Sequence, residues 1–312
     1  MGRYFAPASS GNLSVGFDSL GAAFATMDGS LLGDELIIHG EAAQVTLQVT
    51  GRYAHQLPPQ PQHNLVLTCY HAFAERVALP PLNMTLVKHL PVGSGLGSSA
   101  CSIVVTLFAL NDYCGQPLTQ LELLALAARC EGGVSGAVHY DNVAPSLLGG
   151  LQLMLPGHSA ICRALPWFDD WFVVLSYPGT TLSTKAARAV LPSALSLTQT
   201  VHASGLLARF VSALYCQDAT DALAAMHDLI AEPSRVSLMP ELPALRQALM
   251  AMGVGHVGIS GAGPTLFAIC PSIDIAQHAA DYLRTHYEKN RDGMTHICQL
   301  ATQGAVKLAG SV

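Results

Sequence analysis

Short runs of apolar residues, some alternating with polar ones, predict strands at 35–39, 44–49, 84–89, 151–155, 172–177, 257–260, 265–270 and 296–300. Helices carry the stronger signal. Ala100, Ile103, Val104 and Leu107 recur at the 3.6-residue spacing and predict a helix that ends near Gly115. Thr119 followed by Glu122 is a capping-box signature opening a helix over 121–130, with Gly132-Gly133 as its stop. Further helices are predicted at 64–78, 184–190, 203–216, 219–231, 242–252 and 275–289. Strands and helices are mixed without a regular βαβ alternation, which predicts an α+β fold. LPPQPQHN at 57–64 reads as a loop. The pattern breaks at GHSA (157–160) and LPWFDD (165–170), placing a boundary at 155–170 that divides the chain into 1–165 and 166–312.

Composition narrows the class of protein. Of 312 residues, 50% are hydrophobic and 12% charged, so a disordered or highly charged chain is excluded and a large core is available. Lys and Arg number 15 against 21 acids, a net charge of −6, with no basic run, which argues against a nucleic-acid partner. The most apolar stretch, 100–110, is interrupted by Ser102 and Thr106 and is too short to span a bilayer. MGRYFAPASSGN has no apolar h-region, so no signal peptide and a cytoplasmic location are expected, with no membrane partner. The eight cysteines are scattered without a CxxC pair and read as reduced thiols; the thirteen histidines form no HExxH and predict no zinc site.

Three glycine-rich stretches carry the candidate chemistry. PVGSGLGSSA (91–100) follows a strand and opens a strong helix. Its glycines let backbone approach a ligand, and the helix start offers free N–H groups and a positive dipole end to a phosphate. It is not a Walker A loop, since it has no lysine. Gly95-x-Gly97-x-x-Ala100 also fits a dinucleotide fingerprint, as in an NAD(P)-dependent oxidoreductase. That fingerprint needs a second strand ending in an acid about 20 residues on, where 119–131 reads as helix. A plain strand-to-helix turn is the remaining alternative. GISGAGP (258–264) reads as a hairpin loop able to approach a ligand held elsewhere, and APASSGNLSVGFDSLG (6–21) as a buried recognition strand and turn. Glu131, in the last turn of its helix, opposes the macrodipole at a cost of up to ~1 kcal/mol, which a cation would offset; a solvated glutamate is the alternative.

These motifs, APASSGNLSVGFDSLGAA (6–23), PVGSGLGSSA and GISGAGPTLFAI (258–269), resemble in order the three motifs of the GHMP kinases. Within that superfamily the first motif and HYDNVAPSLLGG (139–150) are similar to the homoserine kinases of bacterial threonine biosynthesis. The resemblance implies an N-terminal domain like ribosomal protein S5 domain 2, a ferredoxin-like C-terminal domain, ATP and Mg²⁺ as cofactors, and a homodimer. ATP would contact Pro91, Val92, Gly93, Ser94, Gly95, Leu96, Gly97, Ser98, Ser99, Ala100 and Cys101. Ser98 matches the metal-ligating serine and Glu131 its acidic partner. For the zwitterionic L-homoserine, the resemblance supplies Asp18 for the ammonium, Asn12 to orient the hydroxyl, and Arg188 and Arg235 for the carboxylate. His139, Asn142, Thr184 and Gly261 complete the pocket, Asn142 facing the hydroxyl. Whether Asp141 acts as base, or the loose phosphoryl transition state needs none, stays open. L-Threonine, with the same ammonium and carboxylate, is the expected inhibitor. A mevalonate- or sugar-type GHMP kinase is the alternative within the superfamily.

Overall fold

The computed structural model describes residues 2–135 and 138–309. The first half runs β1 (Gly2–Pro7), β2 (Ser9–Asn12), β3 (Gly16–Thr26), β4 (Gly33–Glu41), β5 (Thr46–Thr50), α1 (Leu65–Ala74), β6 (Leu82–Val87), α2 (Ser98–Tyr113), α3 (Gln120–Ser135), α4 (Val143–Leu148), β7 (Leu151–Met154) and β8 (Cys162–Leu165). The second runs β9 (Phe172–Tyr177), α5 (Thr184–Ala189), α6 (Leu197–Cys216), α7 (Ala219–Ala225), α8 (Glu232–Arg235), α9 (Leu242–Ala251), β10 (His256–Ile259), β11 (Leu266–Cys270), α10 (Ile273–His286), β12 (Met294–Leu300) and β13 (Val306–Lys307).

One sheet has the order β13-β1-β4-β6-β5, the other β10-β11-β9-β12-β3-β7-β8, with β2 paired to β3. The antiparallel order β12-β9-β11-β10, with helices inserted after β9 and after β11, is the ferredoxin-like arrangement of the second half. Because β12 also pairs with β3, this sheet continues into strands of the first half. The main core accordingly draws on both halves, from Tyr4 and Leu36 to Phe210 and Met294, while a second core lies between α9, α10 and β10–β11. α2 is buried on nearly every face, as its lack of charge from Ser98 to Leu110 requires.

Several predicted elements shift, each for a local reason. The loop helix begins at Ser98 because Gly97 takes the left-handed conformation as its N-cap. α3 passes through Gly132 and Gly133 to Ser135 instead of stopping there. α6 starts at Leu197, not 203, because Ser196 and Gln199 form a capping box. The helix predicted at 219–231 ends at Ala225, and Asp228 then accepts N–H bonds from Ile230 and Ala231 ahead of α8. The sequence pattern does not mark β1, β8, β13, α8 or α4, in which Pro145 occupies the first turn, where proline is tolerated. Among the described residues no helix is long and apolar enough to cross a membrane.

Candidate active site

The 91–97 loop presents its backbone in one sense. Four consecutive carbonyls accept bonds from the rest of the protein: Gly93 from Leu182 N–H (3.0 Å), Ser94 from Thr265 N–H (3.0 Å), Gly95 from the Ser260 hydroxyl (2.8 Å) and Leu96 from Ser9 N–H (3.2 Å). Among the described residues the amides of Gly93, Ser94, Gly95 and Gly97 donate to nothing in the protein. With the orphan amides at the start of α2 they form a donor-rich cradle suited to phosphate oxygens. Gly95 is required here: at φ +85°, an added Cβ would lie 2.4 Å from the Ser260 carbonyl. Thus GISGAGP is a hairpin loop between β10 and β11, as expected, and it also braces the phosphate loop.

Behind the loop, Lys88 is fully buried and paired with Asp34. Its Nζ also donates to the Ser98 carbonyl (3.0 Å) and the Ser102 hydroxyl (2.9 Å). Asp34 in turn accepts from Ser102 and from the amides of His89 and Leu90. The ion pair therefore holds both the strand leading into the loop and the helix leaving it. A lysine ending the apolar run MTLVKH was the sequence signal for this cluster, and it went unread.

At the start of α2 the two serines point apart. Ser99, not Ser98, reaches Glu131, donating to Oε2 at 2.6 Å. The Ser98 hydroxyl donates backwards to the Leu90 carbonyl at 3.3 Å, since adjacent helical residues point about 100° apart. Burial pushes the Glu131 carboxyl above its usual value, against the bond from Ser99 and the nearby charge of Lys88. The Cys101 side chain, included in the ATP motif, points into the core, where its thiol donates to the Ala6 carbonyl. Ala100 is likewise buried.

The charged pocket draws on five separated segments. Arg188 on α5 grips Asp18 with both nitrogens, at 2.9 and 3.3 Å, and His139 Nδ1 lies 3.5 Å from Asp18 Oδ2. Asp18 and Arg188, assigned to opposite ends of a zwitterion, are thus partners of one another here. Arg235 differs. It is buried and donates only to carbonyls, of Gly261 (2.8 Å) and Ala187 (3.3 Å), and no carboxylate pairs with it among the described residues. The Arg188 and Arg235 guanidiniums lie 5.8 and 5.7 Å from the Phe17 ring centroid, so both cations border the same ring. Asn12 joins the motifs: its Nδ2 donates to Gly261 O and its Oδ1 accepts from Asp18 N–H. Asp141 is buried, and its carboxyl is pushed up to about 7, first by that burial and then by Asp18. Asn142 accepts from Ser9 and donates to Asp141. Burial holds His139 below its usual value. Thr184 is exposed at the first position of α5, two residues after Leu182 docks on Gly93.

The family model of the GHMP kinases N terminal domain matches residues 64–150, and that of the GHMP kinases C terminal matches 210–289. The chain belongs to the GHMP kinases. As a GHMP kinase it is a small-molecule kinase of a family that uses ATP. The crystal structure of homoserine kinase from Cytophaga hutchinsonii is 28% identical, with a TM-score of 0.87 over 98% of this chain and 97% of that one. A putative homoserine kinase from Listeria monocytogenes is 24% identical, with a TM-score of 0.75 over 99% of each chain. The L. major mevalonate kinase in complex with R-mevalonate is 17% identical, with a TM-score of 0.67 over 96% of each.

For a GHMP kinase, one further feature stands beside the phosphate loop. A cavity of about 330 Å³ is lined by Leu47, Val49, Ala54, His55, Leu57, Pro58, Pro59 and Asn64. The adjoining Gln56 side chain accepts from Val92 N–H at 2.8 Å, so this cavity opens at the entry to the loop. The sequence reading treated 57–64 as a simple connection. Its prolines and leucine supply apolar walls of the kind a nucleobase needs. The dinucleotide alternative loses its required strand, since 120–135 is helix.

Proposed function

We infer that this GHMP kinase transfers the γ-phosphoryl group of ATP to the hydroxyl of L-homoserine, giving O-phospho-L-homoserine and ADP. The observation that carries the reading is Arg235, a buried guanidinium with no carboxylate partner among the described residues, within charge reach of Arg188 and Asp18. A substrate carboxylate would satisfy the two arginines, and Asp18, released from Arg188, would take the substrate ammonium. Mevalonate has a carboxylate but no ammonium for Asp18, and a sugar has neither. The 28% identity to a homoserine kinase supports the same choice.

Residues of the chain divide the work between positioning and charge. The cradle amides hold the phosphates, and the cavity beside Asn64 takes the base. Ser99 and Glu131 suit Mg²⁺: both offer hard oxygens, and a cation would relieve the cost of burying the Glu131 carboxylate. When bound, the ion neutralises charge on the phosphates during transfer. Asn142 and Asn12 orient the hydroxyl, and Asp141, poised near neutrality by its burial, is placed to receive its proton. A homodimer and a cytoplasmic location belong to the same reading.

Coupled ADP release with L-homoserine, mevalonate and galactose tests it. Turnover with homoserine is expected; turnover with another alcohol and none with homoserine would overturn the assignment. L-Threonine is expected to compete with homoserine. It presents the same ammonium and carboxylate, but its hydroxyl sits one bond, about 1.5 Å, short of the attack position. Inhibition that saturating homoserine fails to relieve would place threonine elsewhere.

A further inference from the structure

The turn that carries Asn12 to Asp18 is strained. Asn12, Leu13 and Ser14 follow one another at φ +74°, +46° and +62°, and Asp18 sits at +52°, conformations that side chains other than glycine rarely hold in series. Such a turn persists only where its surroundings over-determine it. Two fastenings belong to the motifs already described: Asn12 to Gly261 O, and Gly261 N–H to Gly11 O. The third lies outside them. The Ser14 hydroxyl and His256 Nε2 share a hydrogen bond of 2.8 Å, across 242 residues of sequence. Gly258 makes room for it, since a Cβ there would lie 2.2 Å from Ser14 Oγ. The imidazole is braced against the Phe267 ring, 5.7 Å between centroids. Arg246 on α9, which donates to the Val257 carbonyl, and His227 before α8 face the same ring. Burial, aided by these two, pushes the imidazole down to about 3, so His256 is neutral and its hydrogen bond does not change over the working pH range.

We propose that His256 is a positioning residue for the alcohol substrate: through Ser14 it locks the left-handed 12–14 turn, and thereby sets where Asp18 and Asn12 stand relative to Arg235. Among the described residues neither Ser14 nor His256 hydrogen-bonds to the phosphate loop, so the effect is expected on one substrate. The inference rests on the reading of Asp18 and Arg235 as the substrate pocket, but not on which alcohol fills it.

Three variants test it. Ser14→Ala removes one partner, His256→Phe keeps the ring without its nitrogen, and His256→Gln restores a side chain that can accept or donate. Ser14→Ala and His256→Phe are expected to raise the KM for homoserine roughly tenfold while kcat and the ATP KM stay within about twofold. The double variant should be no worse than the worse single one, because both remove one bond. His256→Gln should lie near wild type. Hydrogen exchange at amides 12–18 should quicken in the two impaired variants whatever the substrate proves to be. If homoserine is not turned over, the KM series is run on the alcohol that is, which separates failure of the substrate reading from failure of this one. Unchanged KM and unchanged exchange in Ser14→Ala would overturn the proposal, as would a Gln variant as impaired as Phe. If His256→Phe does not fold, Ser14→Ala and His256→Gln decide the matter.

Discussion

Between Gly93 and Leu96 the protein fastens four carbonyls and, among the described residues, leaves the amides of Gly93, Ser94 and Gly95 undonated, whereas Asp18 is gripped by Arg188 and Arg235 is held by carbonyls from distant segments. The first half of the site is backbone and contiguous in sequence. The second half is side chains from β3, the segment before α4, α5, α8 and the β10–β11 loop, and it gathers two arginines about one carboxylate. The halves meet where Ser260 bonds Gly95 and the neighbouring Gly261 carbonyl receives Asn12 and Arg235. Under the proposed function, a backbone seat of this kind would serve any alcohol, while the choice of alcohol would rest on the charges the protein itself leaves unsatisfied.

The most severe test of the rigid half is Lys88→Met. It leaves Asp34 buried without its cation, and breaking such a pair costs about 3–5 kcal/mol. Urea denaturation should show this loss, and the double variant Asp34→Asn/Lys88→Met should recover much of it. A small loss in the single variant would mean that the loop does not lean on the pair.

The charged half is tested by Arg235→Leu. A substrate carboxylate that loses a buried partner forfeits about 2–5 kcal/mol, so the homoserine KM should rise by roughly 30-fold or more. The ATP KM should move little. Equal changes in both would show that Arg235 supports the Gly261 loop and not the substrate, and the two halves would no longer be separable.

The unequal legibility of the two halves has the same origin as their unequal construction. PVGSGLGSSA is local, and glycine spacing with a following helix is enough to mark a strand-to-helix loop there. Which serine faces Glu131 depended on the helix starting at Ser98, one residue after a left-handed Gly97, and a stripe read from Ala100 cannot set that phase. Asp18, Arg188 and Arg235 came from a family resemblance, since no spacing in one chain reveals that α5 and α8 converge on Phe17. β2 and β3 are rich in Gly, Ser and Ala and poor in β-branched residues, so propensity marks them only as one strand and turn over 6–21 and does not carry β3 on to Thr26. α3 runs through two glycines that cost about 1 kcal/mol each, because packing against α2 and α1 outweighs local preference.

Where the halves meet the transferred group, Glu131→Gln and Ser99→Ala should each lower kcat roughly 100-fold, about 3 kcal/mol of transition-state stabilisation. Ser98→Ala is the contrast, because its hydroxyl is spent on the Leu90 carbonyl. A magnesium titration of all three checks the assignment. Losses that follow Ser98 instead of Ser99 would mean that the side chains exchange roles when ATP binds.

The smallest effect is expected at Asp141, the carboxyl on the charged side that lies nearest neutrality. Its folded value, about 7, stands well above the ordinary carboxylate value of 3.8. If it receives the hydroxyl proton, kcat should rise with pH through about 7 and level off above, and Asp141→Asn should flatten that rise. The rate loss in the variant should be only roughly tenfold, below full general-base catalysis, because a loose transition state moves the proton late. Stability must run the other way. Between 3.8 and about 7 the folded chain holds a proton that the unfolded chain has released, so Asp141 makes the protein less stable as pH rises across that window. Asp141→Asn should therefore gain stability over wild type at pH 8 and not at pH 4, in paired denaturation curves. His139, the other titrating group beside Asp18, is held below its usual value by burial, so an inflection near 7 that disappears in Asp141→Asn belongs to Asp141. An inflection that survives the substitution would leave the hydroxyl proton to solvent or to the departing phosphoryl group, and Asp141 would serve only to orient Asn142.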